Sequence, residues 1–329
     1  MSVYNGEPFL REAIDSILQQ TFTDLEFLII NDASTDQSVK IIESYQDSRI
    51  QMFSNVENIG LTKSLNKGLD LARGKYIARM DADDISLPIR LEKQVAFMES
   101  HSEVGLCGGW FQIMGGSLIK KPETHLEIAV RMLRRNPFGH STVMIRKSIL
   151  EEFNLTYNET LTSSQDYELW SRIIEHTKVY NIPKVLVMYR VHNNQISTSK
   201  RNEQLKNETK IKKAIIKKLL PDISDNVILI HEKVVISTEK ISAAEFSRYS
   251  EFLKKLVEAN YIMKKYEPDC LRRAIQSLWV SALKRAPSLT IVPLMWNSSF
   301  TKDYSWVKRL RLVIKQVYES VNFHCSSLL

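Results

Sequence analysis

Asp81, Asp83 and Asp84, in the string YIARMDADD, are the residues of this 329-residue chain best suited to chemistry. Carboxylates are hard oxygen donors, and a Mg²⁺ or Mn²⁺ held by one or two of them keeps positions open for water and substrate phosphates. Residues 76–80 read as a buried strand, so the acids emerge at a strand end, where an α/β sheet places its ligand crevice. A bare DxD is also compatible with a solvated acidic turn. The elements that position it decide between the two.

Those elements alternate. Tyr4, Asn5 and Gly6 form a turn, Pro8 suits a helix's first turn, and Phe9, Leu10, Ala13, Ile14, Ile17 and Leu18 recur at helical spacing. Residues 25–31 (LEFLIIN) read as a strand, with Asp32 following it and a helix expected from about Asp36. Residues 50–54 read as a third strand, Asn58 and Gly60 as its exit loop, and residues 61–72 as a helix ended by Gly74. Alternation of this kind predicts βαβ crossovers and a mostly parallel sheet. Tyr4, Asp32, Asn58 and Asp81 then gather along its one ligand edge.

YNGEPFLREAIDSILQQTF, LIINDASTD, NIGLTKSLNKGL and GKYIARMDADDISLPIRLEKQ, in that order, resemble the successive signatures of family 2 glycosyltransferases of the GT-A fold. SSQDYELWSRI and YRVHNNQIS continue the resemblance, which covers residues 1–199. It implies a Rossmann-like α/β domain and an inverting transferase using a nucleotide-diphosphate sugar, expected to be a UDP-sugar. Tyr4 would stack on the base, Asp32 accept its N–H, and Asn58 assist at the same rim, with Asn5, Lys63, Ala82 and Arg90 also on the donor side. Asp81 would reach ribose or metal, and Asp83 the Mn²⁺ or Mg²⁺ that bridges the phosphates. Asp166 falls at the family's acidic catalytic position and would take the acceptor hydroxyl's proton. Read without the resemblance, Asp166 is as well suited to capping the helix in YELWSRII.

His192 follows an apolar strand at residues 184–189 and sits in the polar HNNQ loop, where a neutral imidazole would complete a metal site or hold the diphosphate. His140, in FGHSTVMI, suits a structural or acceptor-side place. Arg90 pairs with an active-site acid or phosphate, or else is a solvated helix residue. Two departures from the family pattern stand out. Leu65 occupies the position of a phosphate-pairing Arg, with Lys63 as a substitute or a solvated residue, and only Met1, Ser2 and Val3 precede the YNGE turn, so the first strand is expected to continue upstream.

The three cysteines, Cys107, Cys270 and Cys325, are far apart and fit no metal spacing, which predicts a reducing compartment and inert thiols. With no apolar run of transmembrane length and no signal peptide, the expected location is the cytoplasm, at the inner membrane face. Charge is uneven. Residues 1–199 carry 21 Lys/Arg against 25 Asp/Glu, net −4, whereas residues 200–329 carry 24 against 13, net +11. The second stretch reads as basic amphipathic helices, which gives a GT-A domain over 1–199 and a helical region over 200–329. Such helices suit an anionic membrane surface bearing a lipid-linked or glycan acceptor, or else plain packing on the catalytic domain. Nucleic acid is not an expected partner, since no binding motif accompanies the charge. Beside a transferase for surface polysaccharide or lipopolysaccharide stand two alternatives. A sugar nucleotidyltransferase would need a glycine-rich basic phosphate loop where YNGEPF lies, and an inactive binding module sits poorly with intact Asp81, Asp83 and Asp166.

Overall fold

The computed structural model describes residues 1–287 apart from Asn194, Ile196, Ser197, Ser199 and Thr238. The helix expected in WVKRLRLVIKQVYESV and Cys325 lie outside the described residues. The chain divides into two compact units, residues 1–211 and 212–329, and the division falls inside α8 (Arg201–Lys217).

The first unit opens with β1 (Ser2–Val3), α1 (Glu7–Leu18), β2 (Phe27–Asn31), α2 (Ser38–Glu43) and β3 (Ile50–Ser54). The strands form a parallel sheet in the order β1-β2-β3. Pro8 in the first turn of α1 gives up an N–H that has no helical partner there. Leu10, Ile14 and Ile17 then bury one face of the helix against Phe27, Ile29, Ile42 and Met80. Removing that apolar area from water is the main favourable term holding this layer together.

Next come α3 (Leu61–Leu71), β4 (Tyr76–Ala78), β5 (Ile85–Ser86), α4 (Arg90–Ser100), β6 (Val104–Ile113), β7 (Leu118–Ile119) and α5 (His125–Arg131). A 3₁₀ turn (His140–Thr142), β8 (Met144–Arg146), α6 (Lys147–Glu152), α7 (Gln165–Ile173) and β9 (Lys178–Tyr189) complete the unit's sheets and flanking helices. The second sheet runs β4-β8-β6-β9-β5 with β7 on β6. Its character corrects the expectation of a mostly parallel sheet in one respect: only β6–β9 pair in parallel, and the other four pairs are antiparallel. The alternation of strand and helix predicts crossovers only for the first half, and β8, entered from a 3₁₀ turn, runs back along β4. A parallel bridge between Ser2 and Asp81 joins the two sheets. β6 and β9 approach closely at Gly108, where an added Cβ would meet Asn181 Oδ1 at 2.4 Å and Phe138 at 2.7 Å.

The second unit is helical: the end of α8, α9 (Asp225–Val235), α10 (Ala243–Met263) and α11 (Pro268–Leu283). Phe246, Tyr249, Phe252, Leu253, Leu256, Leu271, Ile275, Leu278 and Trp279 are all buried. The wholly buried Lys212 is neutralised by Glu232 at 2.7 Å. Ser242 and Glu245 form a capping box that fixes the start of α10. Among the described residues no helix is long and apolar enough to cross a membrane.

A cavity of about 650 Å³ separates Phe27 and Leu28 of β2 from Tyr76, Ile77 and Ala78 of β4. Met1 stands at its mouth, its ammonium donating to the Leu28 carbonyl at 2.8 Å. Burial, and after it Arg79, lowers the pKa of this ammonium to about 5. The folded state therefore resists a proton that the unfolded chain takes up near pH 8, so this group's contribution to stability falls as pH drops from 8 to 5. Acetylating Met1 should raise the melting temperature at pH 5–6 and lose that part of the advantage by pH 8. Melting curves across this range check it; a constant gap between the two forms would assign the gain to something other than the buried ammonium.

Candidate active site

The three acids of DADD come together as the sequence suggests. A carboxylate oxygen from each of Asp81, Asp83 and Asp84 lies within 4.8 Å of the others. Each is held differently. Asp81 receives both nitrogens of the Arg79 guanidinium and the Ser141 hydroxyl at 2.7 Å. Burial opposes its charge, but Arg79 prevails and its pKa stays below the usual carboxylate range. Arg79, itself buried, is kept charged against desolvation by the same pair. Asp83 carries His192 Nε2 at 3.0 Å, yet burial and the neighbouring Asp81 push its pKa up. Asp84 is fully enclosed, bonded by the Ser141 hydroxyl and by the Arg190 N–H at 2.9 Å, and burial with Asp81 and Asp83 raises it to about 7.

His192 is thus brought to the acids, as its place after β9 predicts. Its ring lies 4.7 Å from that of Phe9, and the Arg190 guanidinium stands 4.6 Å above Phe9 while reaching Glu12 and the Asp83 carbonyl. Ala82 is half-buried against the α1 core and would be 3.8 Å from a Cβ on Gly6. Arg90 is not brought to the cleft. It is wholly buried, and its guanidinium bonds Gln94, the Arg79 carbonyl at 2.7 Å and the Val143 carbonyl at 3.2 Å. It braces the strand end beneath the acids; the expected solvated or phosphate-facing Arg is instead a core residue whose buried guanidinium is satisfied by Gln94 and these two carbonyls.

Asp32 is 2% exposed, and its carboxylate accepts from Ile59 N at 3.0 Å, Gly60 N at 2.9 Å and Asn55 Nδ2 at 2.8 Å. Asn58 Nδ2 reaches the Asp32 carbonyl at 3.4 Å. Asn5, in a left-handed conformation (φ 51°), receives the Thr35 N–H at 2.8 Å and gives its own N–H to Ser34. The three loops expected at the nucleotide rim are therefore laced together, with Tyr4 53% exposed beside them. Lys63 points to solvent. The cation that does reach this rim is Lys67, one helical turn on, bonded to Asn55 Oδ1 at 2.7 Å. The i, i+4 spacing in KSLNK carries that signal.

Asp166 occupies the first turn of α7, but the cap position is Ser164, left-handed at φ 60° and without a side-chain cap bond. Asp166 Oδ2 instead accepts from Asn136 Nδ2 at 2.6 Å. His140 Nε2 and the Tyr157 hydroxyl are joined at 3.0 Å. Burial and Arg79 lower the imidazole to about 4, so it stays neutral, and both residues feel Arg79, Asp81 and Asp166. Cys107 is buried, its thiol pushed to about 12 by desolvation, in keeping with an inert role. Sequence reasoning missed Arg79, Ser141, Arg190 and Asn136; only Arg79, inside YIARMDADD, carried a local signal.

The model of the family described as Glycosyl transferase family 2 matches residues 1–178. An uncharacterized glycosyltransferase of Haemophilus influenzae is 34% identical over 274 residues, covering 79% of this chain and 83% of the relative. The amylovoran biosynthesis glycosyltransferase AmsE of Erwinia amylovora is 32% identical, over 64% of this chain and 82% of its own length. Among solved structures, S. aureus TarS 1-349 in complex with UDP-GlcNAc superposes with TM-score 0.58 at 18% identity, covering 85% of this chain and 88% of the other. The mannosyltransferase PcManGT from Pyrobaculum calidifontis, in complex with GDP-Man and Mn²⁺, gives TM-score 0.52 at 16% identity, with 97% and 85% covered. These likenesses identify the fold as GT-A.

Because Asp32 satisfies two backbone N–H groups in a buried loop, Asp32→Ala should destabilise the protein by about 2 kcal/mol or more, independent of any ligand. Urea unfolding measures it. An unchanged midpoint would mean that the carboxylate serves a ligand alone.

Proposed function

Since the chain belongs to glycosyltransferase family 2, we propose that it moves a sugar from a nucleotide-diphosphate sugar to a hydroxyl of a glycan or lipid-linked acceptor in surface-polysaccharide synthesis, with inversion. A UDP-sugar is the first donor to test. The observation that carries this reading is the convergence of three acids within 4.8 Å, with Asp166 and Asp81 both acting on the His140–Tyr157 pair. AmsE, a relative named for amylovoran biosynthesis, supports the polysaccharide setting. Family membership argues against the nucleotidyltransferase alternative.

The acid cluster suits a hard divalent cation. Of the three carboxylates only Asp81 has a charged guanidinium on it, and burial, then repulsion from the neighbouring acids, raises the other two, so an added cation would be welcome. Asp83, Asp81 and His192 would hold Mn²⁺ or Mg²⁺, which when bound neutralises charge on the leaving diphosphate. Tyr4, with the Asp32–Asn58–Asn5 loops, would seat the base and ribose. Asp166, its orientation fixed by Asn136, would accept the proton of the acceptor hydroxyl as that oxygen attacks the anomeric carbon. One displacement inverts the centre.

Asp166→Asn keeps size but cannot accept that proton, so transfer should fall by roughly 10²–10⁴-fold with donor affinity nearly unchanged. His192→Ala should instead weaken donor and Mn²⁺ binding together. Calorimetry with and without chelator, beside single-turnover transfer, separates the two. Near-normal transfer by Asp166→Asn would reassign the base, and undiminished donor binding in excess chelator would remove the cation.

Peripheral contact with anionic membrane belongs to the same reading, supported by the basic C-terminal region and by Tyr261 and Ile262, 85% and 80% exposed at the end of α10 between Lys255 and Lys264. Each such lysine contributes about 1 kcal/mol near an anionic surface, and salt screens it. Sedimentation with phosphatidylserine vesicles should weaken steeply from 50 to 500 mM salt, over which the Debye length shortens from about 14 to about 4 Å. Equal pelleting with neutral vesicles would leave the region as a packing element only.

A further inference from the structure

The loop that follows β9 brings His192 to Asp83, and Arg190 stands two residues before it. His192 Nε2 lies 3.0 Å from Asp83 Oδ2. Neighbouring ligand atoms of an octahedral divalent cation, each about 2.1 Å from the ion, stand about 3 Å apart, so the pair already has the spacing of two adjacent ligands. Arg190 bonds in three directions around this pair. Its backbone N–H donates to Asp84 Oδ1 at 2.9 Å, its Nε to the Asp83 carbonyl at 2.9 Å, and its Nη2 to Glu12 Oε2 at 2.7 Å. The guanidinium also covers Phe9, 4.6 Å from the ring centre, and the His192 ring lies 4.7 Å from the same ring. Gln195 closes the turn, donating from Nε2 to the Arg190 carbonyl at 2.5 Å and accepting the His192 N–H at 3.4 Å. The charge of Arg190 is met by Glu12, an exposed residue of α1, and among the described residues its guanidinium bonds none of the three clustered carboxylates. Asp83 is therefore left to His192.

We propose that Arg190, braced by Glu12 and Phe9, is the positioning residue that sets His192 against Asp83 as a ready pair of cation ligands. The inference rests on the transferase reading, in which those two residues hold the divalent cation. A guanidinium suits the task because its planar fork fixes two N–H directions at once, here toward the DADD backbone and toward α1. A lysine would supply the charge without the fork. Phe9 is the floor that both side chains share, so loss of Arg190 frees the loop from α1 and from Asp83 together. His192 then keeps only its own ring contact.

Calorimetric titration of the full chain with Mn²⁺ alone is the first test. Arg190→Ala should weaken binding about 10–100-fold, the usual range for a residue that orients a metal ligand, and Arg190→Lys should not restore it. In a His192→Ala background the same substitution should add less than about two-fold, because a positioning residue has no effect once the residue it positions is gone. Glu12→Ala changes an exposed helix position, where alanine is the best helix former, and should lower affinity in the same direction by a smaller factor. Melting temperatures report on the fold of each variant. An equal loss in both backgrounds, or no loss with either Arg190→Ala or Glu12→Ala, would overturn the proposal. The second test is a proton–carbon NMR spectrum of histidine-labelled protein without metal. The His192 ring signals, displaced by the neighbouring Phe9 ring, should move toward their free values in Arg190→Ala. Signals that stay in place overturn the proposal whatever the metal does. Wild-type protein that binds no Mn²⁺ would overturn the cation reading itself, and the His192 signals then decide the positioning alone.

Discussion

The crowding of Asp81, Asp83 and Asp84 is the constraint around which the catalytic unit is arranged. Three carboxylates within 4.8 Å repel one another, and each neighbour makes a particular concession to that repulsion. Arg79 neutralises one acid completely. Ser141 bonds two of them, and the Arg190 N–H and His192 take the remaining faces. These partners come from β4, the 3₁₀ turn and the end of β9, three places that meet only once both sheets are formed. The Ser2–Asp81 bridge then ties the cluster to the parallel sheet carrying Asp32. Because Arg90 is spent on the Arg79 and Val143 carbonyls, the strand end beneath the acids is rigid before any ligand arrives.

Much of this was legible in the sequence, for reasons that differ by residue. DADD, Asp32 and Asn58 follow short, mostly apolar strands that alternate with amphipathic helices, so the pattern puts them at a sheet edge. Asn5 and Ser164 adopt left-handed backbone, which YNG and a Ser-rich loop permit at small cost. The antiparallel half of the fold was not legible, since β4 pairs with β8 some seventy residues later and a three-residue strand leaves no local mark. Arg90 and Lys63 show the same limit at side-chain scale. Helical spacing says that both are on a helix, but only the packed sheets decide that Arg90 is interior and that Lys67, not Lys63, faces Asn55.

His140 and Tyr157 form a neutral pair on which both Asp81 and Asp166 act. Desolvation lowers the imidazole and raises the phenol, so neither adds charge to a region that already holds Arg79, Asp81 and Asp166. A protonated His140 there would compete with Arg79 for Asp81 or with Asn136 for Asp166. A neutral pair leaves Asp81 to Arg79 and Asp166 to Asn136, and Trp170 packs against both rings.

The three acids gather negative charge in excess of the one guanidinium bonded to a carboxylate among them. That excess costs stability and is relieved by a ligand of the opposite sign. In the proposed reading a divalent cation arriving with the donor would supply that charge. Asp166 lies apart from this excess, its carboxylate held by the neutral amide of Asn136, so the group proposed as base keeps its orientation whatever charge enters among the acids.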